Sequence, residues 1–289
     1  MANAPSSDTR SPGIREVRIS RRGQNAPERD LVAVEEPMEV RVNGSNFAVI
    51  MRTPGADRDL AAGFLLAEDV VRGVDEIGSI EYCRSEPSGP SAAQDVTDEG
   101  RDNTINVTVT GEAVERLASR LADRRQVTMT SSCGLCGRRT IESLQARVSS
   151  VRGEWTVSAD VIASLPDRLR SSQSVFDSTG GLHAAGLFDR SGNLQLSAED
   201  VGRHNAVDKI SGRTLLAGLH PLDSSILLVS GRTSFELVQK ALLAGVPLIA
   251  AVSAPSSLAI ELADQAGITL CGFLRGERFN IYTHPQRIV

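Results

Sequence analysis

A chain of 289 residues that is 40% hydrophobic is long enough to fold as two domains around a substantial core, and with only 3% aromatics that core must be built from Ala, Val, Leu and Ile in helix-and-sheet layers. A formal net charge of −5, with no stretch interleaving Lys or Arg with aromatics, argues against a nucleic-acid groove. The longest apolar run, Ala241 to Val252, is broken by Gly245 and Pro247 and is too short to cross a bilayer; four cysteines with no secretory segment before them point to a reducing cytoplasm.

Residues 1–30 are polar and without apolar periodicity, and read as a disordered tail. A first α+β domain is expected over 31–126. Its runs Leu31-Val-Ala-Val34 and Met38-Glu-Val-Arg-Val42, the Asn43-Gly44 turn and Phe47-Ala-Val-Ile-Met51 form a hairpin signature. Asp57 to Leu66 reads as a helix with acidic residues in its first turn, residues 84–103 as a surface loop, Ile105 to Thr110 as a strand, and Glu112 to Arg125 as a helix. Residues 127–140 hold the paired cysteines on what reads as a mobile loop, and 141–289 form a second domain that begins helically, to about Arg170. In it Ile226 to Val229, Pro247 to Val252 and Ile268 to Phe273 are apolar strands separated by helices over Thr233 to Leu243 and Ser256 to Gln265. This βαβαβ alternation implies a parallel sheet covered by helices, so the fold class is α/β.

In Ser131-Ser-Cys-Gly-Leu-Cys-Gly-Arg-Arg139 two thiols are flanked by glycines, with Arg138 and Arg139 just downstream. Nearby positive charge favours thiolate, the form that attacks sulfur, and a helix beginning at Thr140 would add its dipole. Three other readings stay open. The pair could be half of a zinc site completed by Cys83, Cys271 or a His, although no second CxxC or HxxxH is present. It could be a structural disulfide, which would be out of place in cytosol, or a thioredoxin-like redox pair, which would normally open the first helix rather than lie mid-chain.

Two further segments concentrate chemistry. Ser197 to Lys209 surrounds Gly202 with polar and charged side chains; it reads either as part of a site or as a capped surface helix with Glu199 and Asp200 in its first turn and a His204–Asp208 pair. Thr179-Gly-Gly-Leu-His183 supplies a flexible turn and another His. The loops after the three strands, Ser230-Gly-Arg-Thr233, Ser253-Ala-Pro-Ser256 and Leu274-Arg-Gly-Glu-Arg278, must share the carboxyl edge of a parallel sheet, where such folds bind ligands. Arg232, Arg275 and Arg278 could clamp a pyrophosphate there, although ordinary turn chemistry explains the Ser, Gly and Pro equally well.

Glu36-Pro37, Arg41-Val-Asn-Gly44, Met51-Arg-Thr-Pro54, Leu60-Ala-Ala-Gly-Phe-Leu65, Ser131-Ser-Cys-Gly-Leu-Cys-Gly137, Thr179-Gly-Gly-Leu-His183, Glu199 to Lys209, Ser230-Gly-Arg232 and Phe279-Asn-Ile-Tyr282 occur in an order that resembles the formate dehydrogenase accessory sulfurtransferases, the FdhD family. The resemblance implies a cytoplasmic homodimer whose C-terminal domain is a three-layer, cytidine-deaminase-like fold. It implies that sulfane sulfur comes as a persulfide from a cysteine desulfurase and passes to the molybdenum cofactor, in its bis(molybdopterin guanine dinucleotide) form, before that cofactor enters the formate dehydrogenase catalytic subunit. The cofactor is then bound substrate; no structural metal, nucleic acid or membrane partner is implied. The persulfide maps onto Cys133, with Cys136 as a receiving or resolving thiol. Cofactor binding maps onto Phe273, Leu274, Arg275, Gly276, Glu277 and Arg278, and the strand-end reading adds Ser230, Gly231, Arg232 and Ser253. The deaminase zinc signature is absent: Ser132 precedes Cys133, and no His is followed by x-Glu. The rival reading is a chaperone that binds the molybdenum cofactor without chemistry.

Overall fold

The structure is a computed structural model and describes residues 12–23, 27–83, 103–124, 151 and 155–289. Among these residues are a two-stranded ribbon, a four-stranded sheet, a six-stranded sheet and seven α-helices. The ribbon pairs β1 (Ile14–Ile19) antiparallel to β2 (Glu28–Ala33). Part of the segment read as a disordered tail is therefore strand. Ile14, Val17 and Ile19 are only half-buried, so their apolar signal is too thin to stand out among the surrounding arginines.

The four-stranded sheet is built from β3 (Glu36–Val42), β4 (Ser45–Arg52), β5 (Ile77–Tyr82) and β6 (Thr104–Val109), in the order β4-β3-β6-β5. Asn43 and Gly44 both take positive φ, 49° and 78°, which a tight hairpin of this hand needs and which Gly adopts without steric cost. Met38, Val40 and Val42 alternate inward with Ile105, Val107 and Val109 on the parallel neighbour β6. Their buried face packs on α1 (Asp57–Ala67) through Leu60 and Leu65, while Glu39, Arg41 and Thr104 interact on the other face. Helix α2 (Glu112–Arg124) adds Ala113 and Leu117 to the same core.

The six-stranded sheet has the order β12-β11-β10-β9-β7-β8. Its centre is the expected parallel set: β9 (Ile226–Val229), β10 (Leu248–Ala251) and β11 (Thr269–Arg275). All residues of β9 and β10 are buried, as continuous apolar runs in a sheet covered on both faces should be. Antiparallel strands flank them: β7 (His183–Phe188) and β8 (Leu194–Asp200) on one side, β12 (Arg278–Thr283) on the other.

Alternate residues of these strands face two different cores. Leu227, Val229, Ile249 and Ala251 join the core formed with α5 (Arg203–Leu216), α6 (Phe235–Leu243) and α7 (Ser257–Ala266). Ile226, Leu228, Leu248 and Ala250 face α3 (Ala159–Arg170) through Ile162, Leu165 and Leu169. A short helix, α4 (Ser174–Thr179), leads from α3 into β7. The sheet is therefore the middle of three layers, and α1 with the four-stranded sheet packs outside α5.

The α1–α5 contact is unusually close. A Cβ added at Gly63 would stand 1.9 Å from the Asp208 carbonyl oxygen, and one at Gly212 would stand 1.8 Å from that of Asp59. Only glycine fits at either position. Residues 84–102 and 125–150, and with them the Cys133–Cys136 loop, lie outside the described residues.

Candidate functional site

The segment from Ser197 to Lys209 is not a capped surface helix. Leu194–Asp200 is strand β8, α5 begins at Arg203, and ten of the fourteen residues of α5 are buried. Glu199 does cap a helix, but it caps α4, accepting from the amides of Val175 and Phe176 at 3.1 and 2.8 Å. His204 and Asp208 do not pair. His204 Nε2 instead lies 3.2 Å from Ser234 Oγ and 3.0 Å from Glu236 Oε2, and Asp208 accepts from Lys240 Nζ at 2.8 Å on both oxygens. Burial pushes the Asp208 carboxyl up, and Lys240 opposes that push.

Because β7 is antiparallel to β9, its first residue, His183, stands at the carboxyl end of β9. The Ser230 amide donates to the Ala184 carbonyl and Ser230 Oγ accepts from the Ala184 amide, both at 2.9 Å. Gly231 packs against His183 and Arg203 so closely that a Cβ there would meet them at 3.4 and 3.5 Å. His183 pairs with Asp200 across β7 and β8, so the first turn of α5 also lies at this edge. Two segments distant in sequence thus form one site, with α5 starting beside the loop that ends β9.

Asp200 fixes this corner to the end of β4. It is fully buried and accepts from the Thr53 amide at 3.1 Å, the Gly202 amide at 2.8 Å, Asn205 Nδ2 at 2.8 Å and Lys209 Nζ at 2.7 Å. Lys209 also donates to the carbonyls of Thr53 and Glu199, and Asn205 to that of Met51. Arg52, 1% exposed, forks onto Asp57 at 3.1 and 2.9 Å and reaches Asn103 at 2.8 Å. The Met51-Arg-Thr-Pro54 segment is therefore a brace between the two sheets. Removing Lys209 would leave the Asp200 carboxylate buried without its cation. Lys209→Met is expected to cost about 3–5 kcal/mol of unfolding free energy in urea titrations, and adding Asp200→Asn should recover part of it.

The remaining strand ends close the edge. The Thr233 amide donates to the Ala254 carbonyl, and the Ser256 amide to the Thr233 carbonyl. Ser256 Oγ caps α7 by accepting from the Ala259 amide at 3.3 Å. The Phe273 amide donates to the Ser253 carbonyl at 3.2 Å, and Phe273 is held at φ 57°, a left-handed conformation uncommon for an aromatic. The third strand runs two residues further than its sequence pattern suggests. Residues 273–278 are thus the projecting tip of the β11–β12 hairpin, in which Arg275 pairs with Arg278. Arg275, Gly276, Glu277 and Arg278 are exposed, as is Arg232 on the neighbouring loop. Leu274 points the other way: it is 2% exposed in the core under α3 and acts there as a packing residue. Among the described residues none of Arg232, Arg275 and Arg278 is paired with an acid, and the buried Nε of Arg203 has no hydrogen-bond partner. Such an edge suits an anion with several phosphate oxygens.

Burial holds His183 below the usual imidazole range, helped by Arg203 and His204 and opposed by Asp200, so it is neutral at neutral pH. His220 is pushed down by burial too, although its Nε2 lies 3.0 Å from the Ser211 carbonyl, which acts in the opposite direction. A histidine held neutral in the fold binds fewer protons than in the unfolded chain. Its contribution is therefore complete above the unfolded value near 6.5 and is lost as pH falls through and below it. Between pH 7 and 5 the wild-type urea midpoint is expected to fall more steeply than that of His220→Gln.

Of the other cysteines, Cys83 follows the last residue of β5 in the four-stranded sheet, and Cys271 is buried in the other sheet with its thiol pushed up to about 12. They sit in different layers, and among the described residues no group of three His, Cys, Asp or Glu side chains could hold a metal ion. No described helix is long and apolar enough to cross a membrane. Cys133, Cys136, Arg138 and Arg139 lie outside the described residues.

The fold and its edge define a mixed α/β protein in which the parallel centre of a mixed sheet carries at its carboxyl end guanidiniums that are unpaired among the described residues. The model of the FdhD/NarQ family matches residues 33–289, and the chain belongs to that family. It is 48% identical over 267 residues to a protein of Streptomyces avermitilis named sulfur carrier protein FdhD, covering 90% of this chain and 89% of the relative. Identity to the protein of the same name from Nocardia farcinica is 46% over 276 residues, 95% and 93% of the two chains. A crystal structure described as that of a formate dehydrogenase accessory protein from Desulfotalea psychrophila superposes with a TM-score of 0.70 at 26% identity, covering 96% of this chain and 98% of the other.

Proposed function

We propose that this chain is a sulfur carrier in which Cys133 takes the outer sulfur of a cysteine desulfurase persulfide and delivers it to a molybdenum cofactor, in its bis(guanine dinucleotide) form, destined for formate dehydrogenase. In the loading step the Cys133 thiolate attacks the outer sulfur, a new S–S bond forms, and the desulfurase thiolate leaves. Cys136 is the second thiol within reach of that bond by its spacing in the sequence. The cofactor is the substrate that receives the sulfur.

One observation supports the reading beyond kinship with proteins named sulfur carriers: on the strand-end loops of the carboxyl edge Arg232, Arg275 and Arg278 are exposed and, among the described residues, have no acid partner, and the buried Nε of Arg203 has no hydrogen-bond partner there. A dinucleotide cofactor brings pyrophosphates that fit these guanidiniums. A middle-layer sheet with helices on both faces is the arrangement a deaminase-like layering would need.

The test is binding of guanosine diphosphate to the full chain, with formate dehydrogenase activity measured in cells that lack their own carrier. Arg275→Ala/Arg278→Ala is expected to weaken nucleotide binding at least about tenfold and to lower activity in the cells. Unchanged nucleotide affinity in that variant would remove the hairpin from the site.

A further inference from the structure

Strand β8 is an edge of the six-stranded sheet, and among the described residues no strand pairs with its outer side. Which of its backbone groups face outward follows from its neighbour β7. The Ala184 amide and carbonyl are both used on the β9 side, by Ser230 Oγ and the Ser230 amide at 2.9 Å, so Glu199, opposite Ala184 on β8, turns its own amide and carbonyl away from β7. Ser197, two residues earlier and opposite Gly186, does the same. Lys209 Nζ takes the Glu199 carbonyl at 3.1 Å. The Ser197 amide and carbonyl and the Glu199 amide are left without a partner among the described residues.

A cavity of about 220 Å³ lies beside these groups. Val175 of α4 walls it from one face of the sheet, and Ile210 and Arg213 of α5 wall it from the other, so it is level with the sheet, where one more strand would continue the middle layer. Leu196 and Ala198 turn towards the α5 side and with Ile210 make an apolar wall. Arg213 stands beside that wall with its side chain 57% exposed; its Nε lies 3.1 Å from Asp59 Oδ2, and its two terminal nitrogens have no partner among the described residues. Ile210 and Arg213 are about 5 Å apart along the helix axis. Alternate residues of a strand, which share a face, are about 7 Å apart, so neighbouring same-face side chains can meet both. Unpaired edge amides and carbonyls, an apolar wall and a free guanidinium together suit an extended peptide; a small apolar molecule would leave the backbone groups unpaired.

We propose that this groove binds an extended segment of a partner protein, added to β8 as a further strand, with a small apolar side chain against Leu196, Ala198 and Ile210 and an acidic side chain two residues along on Arg213. Main-chain bonds to Ser197 and Glu199 supply affinity, and the apolar-x-acid pattern supplies specificity. The groove follows the lateral edge of the sheet, whereas Arg232, Arg275 and Arg278 lie at its carboxyl end.

The experiment titrates the full-length protein into the fluorescent peptide acetyl-Thr-Val-Thr-Asp-Thr-amide and reads anisotropy. Saturable binding is expected, at least about tenfold tighter than for the same peptide with Lys in place of Asp. Of two N-methylated forms, one on the central Thr and one on the flanking Val and Asp, one should lose binding and the other keep it, because alternate amides of a strand point to opposite edges. Ser197→Pro removes the outward amide without taking a hydrogen bond from the β7–β8 ladder, so it should keep its melting transition and lose the peptide. Arg213→Ala should bind the Asp and Lys peptides alike. If Ser197→Pro fails to fold, the N-methylated forms on the wild-type chain decide. Equal loss or equal retention by both N-methylated forms, a preference for Asp that survives in Arg213→Ala, or undiminished binding to a folded Ser197→Pro overturns the proposal. Absence of any binding, as when a second copy or residues 1–11 fill the groove, overturns it too.

Discussion

Gly212→Ala is expected to prevent this chain from folding. A single methyl at that position would lie 1.8 Å from the Asp59 carbonyl oxygen and 2.6 Å from the Gly63 amide nitrogen, so it meets backbone on the facing helix rather than a side chain that could turn away. Relief requires α1 and α5 to move apart, and neither is free to do so. On α1, Leu60 and Leu65 are fully buried against the four-stranded sheet; on α5, Ala206 and Ile210 are buried towards the six-stranded sheet, and Asn205 and Lys209 are bonded to the Met51 and Thr53 carbonyls and to Asp200 of β8. The cost is about 4 kcal/mol or more, a large share of the roughly 5–15 kcal/mol that holds a domain together. Gly63→Ala should behave alike, since its methyl would lie 1.9 Å from the Asp208 carbonyl oxygen. Soluble yield and thermal melting of both variants check this; a Gly212→Ala protein with the wild-type melting temperature would contradict the close packing.

Cys133→Ala is expected to reduce sulfur delivery to background while leaving the fold intact. The nucleophile is the one group that loading cannot lack, and alanine cannot form a persulfide. In cells lacking their own carrier, the variant should give no active formate dehydrogenase although it accumulates normally. Full activity from a chain with both Cys133 and Cys136 replaced would favour a chaperone that binds the cofactor without chemistry.

How much of this was legible in the sequence depended on whether local pattern or distant packing decided each element. β9, β10 and β11 with α6 and α7 follow from continuous apolar runs punctuated by Ser, Gly and Pro, because a buried parallel strand must be apolar on both faces. β7 was not legible. Its His183-Ala-Ala-Gly-Leu-Phe188 run is made of residues with little strand preference, and pairing to β9 and β8 imposes its conformation. The strand character of Leu194–Asp200 was hidden in the same way, behind side chains that suggested a helix start.

The site divides along the same line. Ser230, Gly231, Arg232 and Ser253 were placed by the topology of a parallel sheet. The convergence of His183, Asp200 and Arg203 on that edge, and the brace from Thr53 to Asp200, join residues far apart in sequence. No spacing rule reaches that far. Leu274 shows the converse limit, since a position next to exposed arginines turned inward once the strand continued through it.

The central claim is that Cys133 carries sulfur, and mass spectrometry of the intact protein after incubation with a cysteine desulfurase and cysteine tests it most directly. The account predicts an added mass of about 32 Da on the wild-type chain, removed by a thiol reductant and absent from Cys133→Ala. A wild-type chain that gains nothing, or a Cys133→Ala chain that keeps the added sulfur, would contradict it.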